Sequence, residues 1–154
     1  ARFAQDTLTP LKQEYVDTGK VKFVYRDYPL ESIHANAKAA AMAAQCANEQ
    51  EKFWEYHDVL FTKQAEWSRL DSVEAFDKFK TFATDLNLSE KFLECLDSKK
   101  YSDEVSKDLV DGTKYGVSGT PAFFIGNSED GYIKVSGAKP FSEFKAIIDD
   151  ALSQ

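Results

Sequence analysis

A chain of 154 residues, 43% hydrophobic and 14% aromatic, has the composition of one globular domain, long enough to bury a single sizeable core. Its net charge is -7, from 26 acidic and 19 basic residues with no basic cluster longer than Lys99-Lys100, which argues against nucleic acid as a partner. The longest apolar run, Ala39 to Ala44, is far too short to cross a bilayer, and no signal peptide is present, an absence that a mature exported chain would share with a cytosolic one.

Ala4, Leu8, Leu11 and Tyr15 recur at helical spacing and predict an amphipathic helix over 2–17, bent by Pro10 and stopped by the turn Asp17-Thr18-Gly19. Val21-Lys22-Phe23-Val24-Tyr25 has the β-branched and aromatic content of a strand, ended by Asp27-Tyr28-Pro29. From Ile33 onward helix formers take over. Residues 35–51 carry eight alanines and no glycine or proline, predicting a helix that its neighbours approach closely. Phe53, Trp54, Tyr56, Leu60 and Phe61 continue a helical apolar face.

Asp71-Ser72-Val73-Glu74 has the form of a capping box and opens a helix through Phe76, Phe79 and Phe82. Ser89 is placed to cap another that holds Phe92, Leu93 and Leu96, and 103–115 reads as a last long helix ending near Gly116. Ala122-Phe123-Phe124-Ile125, closed by Gly126, is a buried strand, followed by a turn at 127–131 and a second strand at 132–135. A final helix over 142–152 presents Phe144, Ile147, Ile148 and Leu152 on one side. This order indicates an α/β class: a mixed sheet covered on both faces, with a helical block inserted between its strands.

Pro121 stands at the mouth of a core strand, where proline cannot donate to a ladder. Two readings are open: it shapes the strand's start, or it holds the backbone for something that approaches. Several polar residues have structural readings. His34 sits at a helix start, His57 on a helix face with Trp54 and Tyr56, and Arg26 and Asp27 pair with each other or with helix ends. Asp149-Asp150 reads as a solvated face, and Asn87-Leu88-Ser89 matches a glycosylation sequon of a kind common by chance.

Four stretches, in order, resemble the DsbA-like thioredoxin-fold thiol:disulfide oxidoreductases. They are Ala1-Arg2-Phe3 leading into Thr7-Leu8-Thr9-Pro10-Leu11; Phe23-Val24-Tyr25-Arg26-Asp27-Tyr28-Pro29-Leu30; the helix from His34 to Ala47 running on to Phe53-Trp54-Glu55-Tyr56-His57; and Gly116-Val117-Ser118-Gly119-Thr120-Pro121-Ala122-Phe123-Phe124-Ile125. The resemblance implies a single domain over 1–154: a thioredoxin core from 1–33 and 113–154, with a helical insertion of about 34–112. It implies disulfide exchange with cysteine-bearing exported polypeptides, a periplasmic, extracytoplasmic or secreted setting, no cofactor or metal, and a redox partner protein. Gly119, Thr120 and Pro121 would be the substrate-binding loop, with Thr120-Pro121 in a cis peptide and its backbone pairing with an extended polypeptide.

The sequence departs from the family in one respect. It holds no Cys-x-x-Cys, the motif whose low-pKa thiolate sits at a helix amino end, so it offers no catalytic cysteine. The family pattern places that motif immediately before Ala1, behind a first core strand that is also missing. The expectation is a piece of a longer chain, or else a strand supplied by a swapped dimer or another chain. In a family of oxidising compartments, Cys46 and Cys95 suggest a structural disulfide; two buried free thiols are the alternative. A metal site with His34 and His57 matches no zinc spacing. Two functions follow: the body of an oxidoreductase, or a redox-inactive module that binds extended peptides or a partner.

Overall fold

The computed structural model of the chain describes residues 2–153. Ala1, before which the redox motif is expected, lies outside the described residues. The chain forms two compact units, one of Ala1–Tyr25 with Gly116–Gln154 and one of Arg26–Tyr115.

In the first unit the amino-terminal helix runs in three pieces: α1 (Arg2–Asp6), α2 (Leu8–Leu11) and a π-helical turn at Lys12–Val16. The break falls at Thr7, not at Pro10 itself. A proline ring crowds the carbonyl of the residue four before it, which here is Asp6, so the distortion appears one turn upstream. Beyond Leu11 the ladder widens, with Asp17 N–H donating to Lys12 O at 2.9 Å. Gly19, at φ +73, then reverses the chain, and the N–H groups of Lys20 and Val21 both donate to Tyr15 O.

The segment Val21–Tyr25, expected as a strand, is extended but joins no ladder. Its burial alternates as a strand's does, Val21 and Phe23 packing on the core while Lys22 and Val24 face out. A strand is completed by a ladder with a neighbour, and among the described residues the one ladder is that of β1 with β2. The expected mixed sheet is accordingly a two-stranded antiparallel hairpin, β1 (Ala122–Asn127) with β2 (Gly131–Ser136), Ala122 opposite Ser136 and Asn127 opposite Gly131. Asn127 Oδ1 accepts the N–H groups of Glu129 and Asp130, each at 2.8 Å, which fixes the turn.

Helix α9 (Phe141–Ser153) packs on β1 and α2. The core holds Leu11, Tyr15, Val135, Phe144 and Ile148. Phe3, Phe123 and Phe144 form a tight triad, with ring centroids 4.5 to 5.4 Å apart. Asp149, expected on a solvated face, accepts the buried Tyr15 hydroxyl at 2.5 Å, and Lys145 bridges Asp149 and Glu14. Burial and the Asp149 hydrogen bond push the Tyr15 phenol above its ordinary value.

The second unit is helical: α3 (Ala37–Asn48), α4 (Phe53–Thr62), α5 (Gln64–Trp67), α6 (Ser72–Asp85), α7 (Glu90–Asp97) and α8 (Ser102–Lys114). Helix α3 touches α4, α6, α7 and α8, and its buried alanines at 40, 43, 44 and 47 let those helices approach. Tyr56, Phe79, Phe82, Phe92 and Leu96 fill the space around it. The polar tips that this burial strands are satisfied: Tyr56 OH donates to Phe79 O at 2.8 Å, and Trp67 Nε1 to Leu60 O at 2.9 Å. Asp71 caps α6 as expected, its carboxylate accepting from the N–H groups of Val73 and Glu74. Ser89 does not cap α7. It occupies the cap position with an extended backbone, but its hydroxyl makes no capping hydrogen bond, and its N–H donates to Gln50 Oε1 instead.

Candidate functional site

The loop that leads into β1 is built from residues that set backbone, not side-chain chemistry. Gly116, at φ +74, turns the chain, and Lys134 from β2 donates to its carbonyl oxygen. Ser118 and Thr120 are exposed, Gly119 and Pro121 half-buried, and the Thr120-Pro121 peptide is cis. Pro121 has no N–H to give, but its carbonyl accepts the Gly137 N–H at 2.8 Å. That bond sets the phase of the hairpin. Residues 121, 123 and 125 direct their backbone groups to β2, so those of Ala122, Phe124 and Gly126 point the other way.

Beside the loop lies a cavity of about 230 Å³ lined by Ser118, Gly119, Thr120, Lys134 and Ser136 among others. A Cβ added at Gly119 would meet nothing within 4 Å, so the loop backbone is open on that side. Hydroxyls, backbone groups and one ammonium are groups that can hydrogen-bond a polar ligand. They bring no thiol. Gly119, Thr120 and Pro121 form a continuous surface at the head of β1, which was expected as a buried strand but has no fully buried residue.

The sequence's two cysteines are elsewhere. Cys46 on α3 and Cys95 on α7 are joined in a disulfide, Cα atoms 5.8 Å apart, both sulfurs well inside the second unit. Among the described residues no group of three or more His, Cys, Asp or Glu is placed to hold a metal. His34 is exposed in the turn before α3. His57 is buried on α4, its ring against Phe61 and Trp54 and its Nδ1 3.0 Å from Asp58 Oδ1.

One polar cluster departs from the sequence reading. Arg26 and Asp27 do not pair with each other. Arg26 Nε donates to Asp108 Oδ1 on α8 at 2.8 Å, and the Asp27 N–H donates to the other Asp108 oxygen at 3.0 Å. The Asp27 carboxylate, only 4% exposed, accepts Gln45 Nε2 at 2.7 Å. Burial, with Asp108 and Glu104 adding like charge, pushes its carboxyl above the usual range. No local signal marks this group, because its partners lie 18 and 81 positions away.

A family model described as thioredoxin matches residues 1–150. The crystal structure of Wolbachia pipientis alpha-DsbA1 superimposes with a TM-score of 0.83 and 27% identity, covering 98% of this chain and 78% of that one. A probable disulfide bond formation protein D of Bacillus cereus is 30% identical over 122 residues, 77% of this chain and 55% of that protein. Na(+)/H(+) antiporter NhaA 3 of Salinispora tropica is 34% identical over 115 residues, 75% of this chain. The chain spans 17% of the antiporter's length and about half of the Bacillus protein's. Among the described residues no helix is long and apolar enough to cross a membrane.

Proposed function

This chain belongs to the DsbA-like thioredoxin-fold family, and from that premise we propose that it is the polypeptide-binding body of a thiol:disulfide oxidoreductase. The substrate is a cysteine-bearing exported polypeptide, held extended along Gly119-Thr120-Pro121 outside the cytoplasm, with a redox partner protein resetting the dithiol. The observation that carries this reading is the open loop at residues 118–121, with nothing within 4 Å of a Cβ built at Gly119. Backbone hydrogen bonds give such a site affinity without sequence preference, as substrates of many sequences require. The dithiol itself belongs, by the family pattern, to the segment ahead of Ala1, where a low-pKa cysteine at a helix amino end would form the mixed disulfide. The Cys46–Cys95 bridge is structural in this reading, pinning α3 to α7.

A titration of the labelled chain with an unfolded polypeptide whose cysteines are reduced and alkylated tests the site. Backbone amide shifts are expected at 118–122, and Gly119→Trp, whose side chain fills the open side, is expected to abolish them without moving the melting midpoint. Binding that survives this substitution would remove the loop from the reading.

A second reading is favoured by one observation: both cysteines of the sequence are consumed in the bridge. The chain then acts as a redox-inactive module that grips extended peptides. An intact mass under denaturing conditions separates the two. A mass above the 17.4 kDa of this sequence, with more than its 2 cysteines alkylated after reduction, favours the oxidoreductase. A mass of 17.4 kDa with two favours the module.

A further inference from the structure

We propose that Glu49 is an electrostatic guard on the Cys46–Cys95 bridge, its carboxylate keeping the pair out of thiol exchange by opposing negative charge on Cys95 Sγ. Glu49 Oε1 stands 3.8 Å from that sulfur. The carboxylate is clamped there by Lys100 Nζ at 2.6 Å and by the Tyr101 hydroxyl at 2.9 Å. Those two hydrogen bonds, with Lys91 adding a weaker attraction, hold the Glu49 carboxyl below its ordinary value, so the charge persists into acid. The Tyr101 phenol is correspondingly pushed up to about 12 by burial and by Glu49.

Helix stability does not account for a carboxylate here. Glu49 is the C-cap of α3, the end of a helix that favours cations. Nor is it needed to tie α3 to α7, since the bridge joins them and Gln50 Oε1 accepts the Ser89 N–H at 3.0 Å. What the position does supply is a carboxylate oxygen, partly offset by Lys100, facing one sulfur of a disulfide. In exchange, a thiolate attacks one sulfur, the S–S bond breaks, and the electron pair leaves on the other sulfur as a thiolate that then takes a proton. Attack on Cys46 puts the leaving charge on Cys95; attack on Cys95 brings an anion to the same place. Glu49 opposes both routes. The property belongs to the bridge and stands whether or not the chain handles polypeptide disulfides.

The test is the rate at which dithiothreitol reduces the bridge in the folded chain, read by alkylation and mass; the reductant is oxidised to its cyclic disulfide as the bridge gains two electrons and two protons. Glu49→Gln is expected to reduce about fivefold faster, the size of a like-charge contact at this distance when it is screened as fully as in bulk water. Lys100→Met, which leaves Glu49 unneutralised, is expected to reduce more slowly than the parent chain. A merely structural ion pair predicts that both variants reduce faster, because both break the same contact. Faster reduction of Lys100→Met therefore overturns the proposal, as does an unchanged rate in Glu49→Gln. In denaturant all three chains are expected to reduce alike, and a difference that survives unfolding also overturns it.

Discussion

Asp27 sits where a carboxylate is costly to ionise. It is buried in the helical unit, and of its nearest charged neighbours Asp108 and Glu104 are acidic while the Arg26 guanidinium turns to Asp108. Its folded-state pKa is raised, so the folded form holds the proton more tightly than the unfolded chain does. The stability this contributes is complete below the ordinary carboxylate value and is lost as pH rises through the folded value. Asp27→Asn removes the titration and keeps an oxygen for Gln45. Denaturant midpoints of the two chains are expected to coincide in acid and to separate toward neutrality, the asparagine chain being the more stable. Equal midpoints at all pH values would mean that Asp27 is well solvated. At this scale the sequence showed its special residues only where a residue type is self-announcing. Pro121 before an apolar run and a pair of cysteines stand out; Asp27 and Gln45 look ordinary, because burial of a polar group is a property of the packed chain.

Among the elements, the β1–β2 hairpin shows how closely two backbones set a local choice. At Gly126 the chain adopts φ +147, and a Cβ built there would lie 2.0 Å from the Gly131 carbonyl oxygen. Gly131, at φ +89, has nothing within 4 Å of its own Cβ position. Alanine at either position meets backbone strain, but only at 126 does it also collide with main chain that cannot step aside. Gly126→Ala is expected to cost on the order of 3 kcal/mol and Gly131→Ala about 1 kcal/mol. Chemical denaturation of the two variants checks the order, and the reverse order would place the strain in the turn, not in the strand. Helices were legible because their signals are local: the apolar spacing around α3, the Asp71 cap, Gly19 as a stop. Val21–Tyr25 was legible only by half. Its side-chain alternation is written in the segment, whereas its ladder depends on a neighbour that none of its own residues can specify.

For the molecule as a whole, element order was readable, and so was the DsbA-like resemblance that four stretches carried together; one core was expected where the chain builds two. The chemistry was readable only as a surface, because the loop at 118–121 positions backbone and the residues that would react are not among those around it. Within the helical unit, the bridge between Cys46 and Cys95 closes a loop of 49 positions. Tying its ends removes conformations from the unfolded chain, worth about 4 kcal/mol on the chain-entropy account for a loop of that length. Both cysteines are buried in the core cluster of the helical unit, so replacing them with alanine also leaves a small void. The double variant Cys46→Ala/Cys95→Ala is therefore expected to lose about 4 kcal/mol or somewhat more. Reducing and alkylating the parent chain in denaturant should have a comparable effect on refolding. A loss below about 1 kcal/mol would mean that the unfolded chain already keeps α3 and α7 together without the bond, leaving the covalent link little entropy to remove.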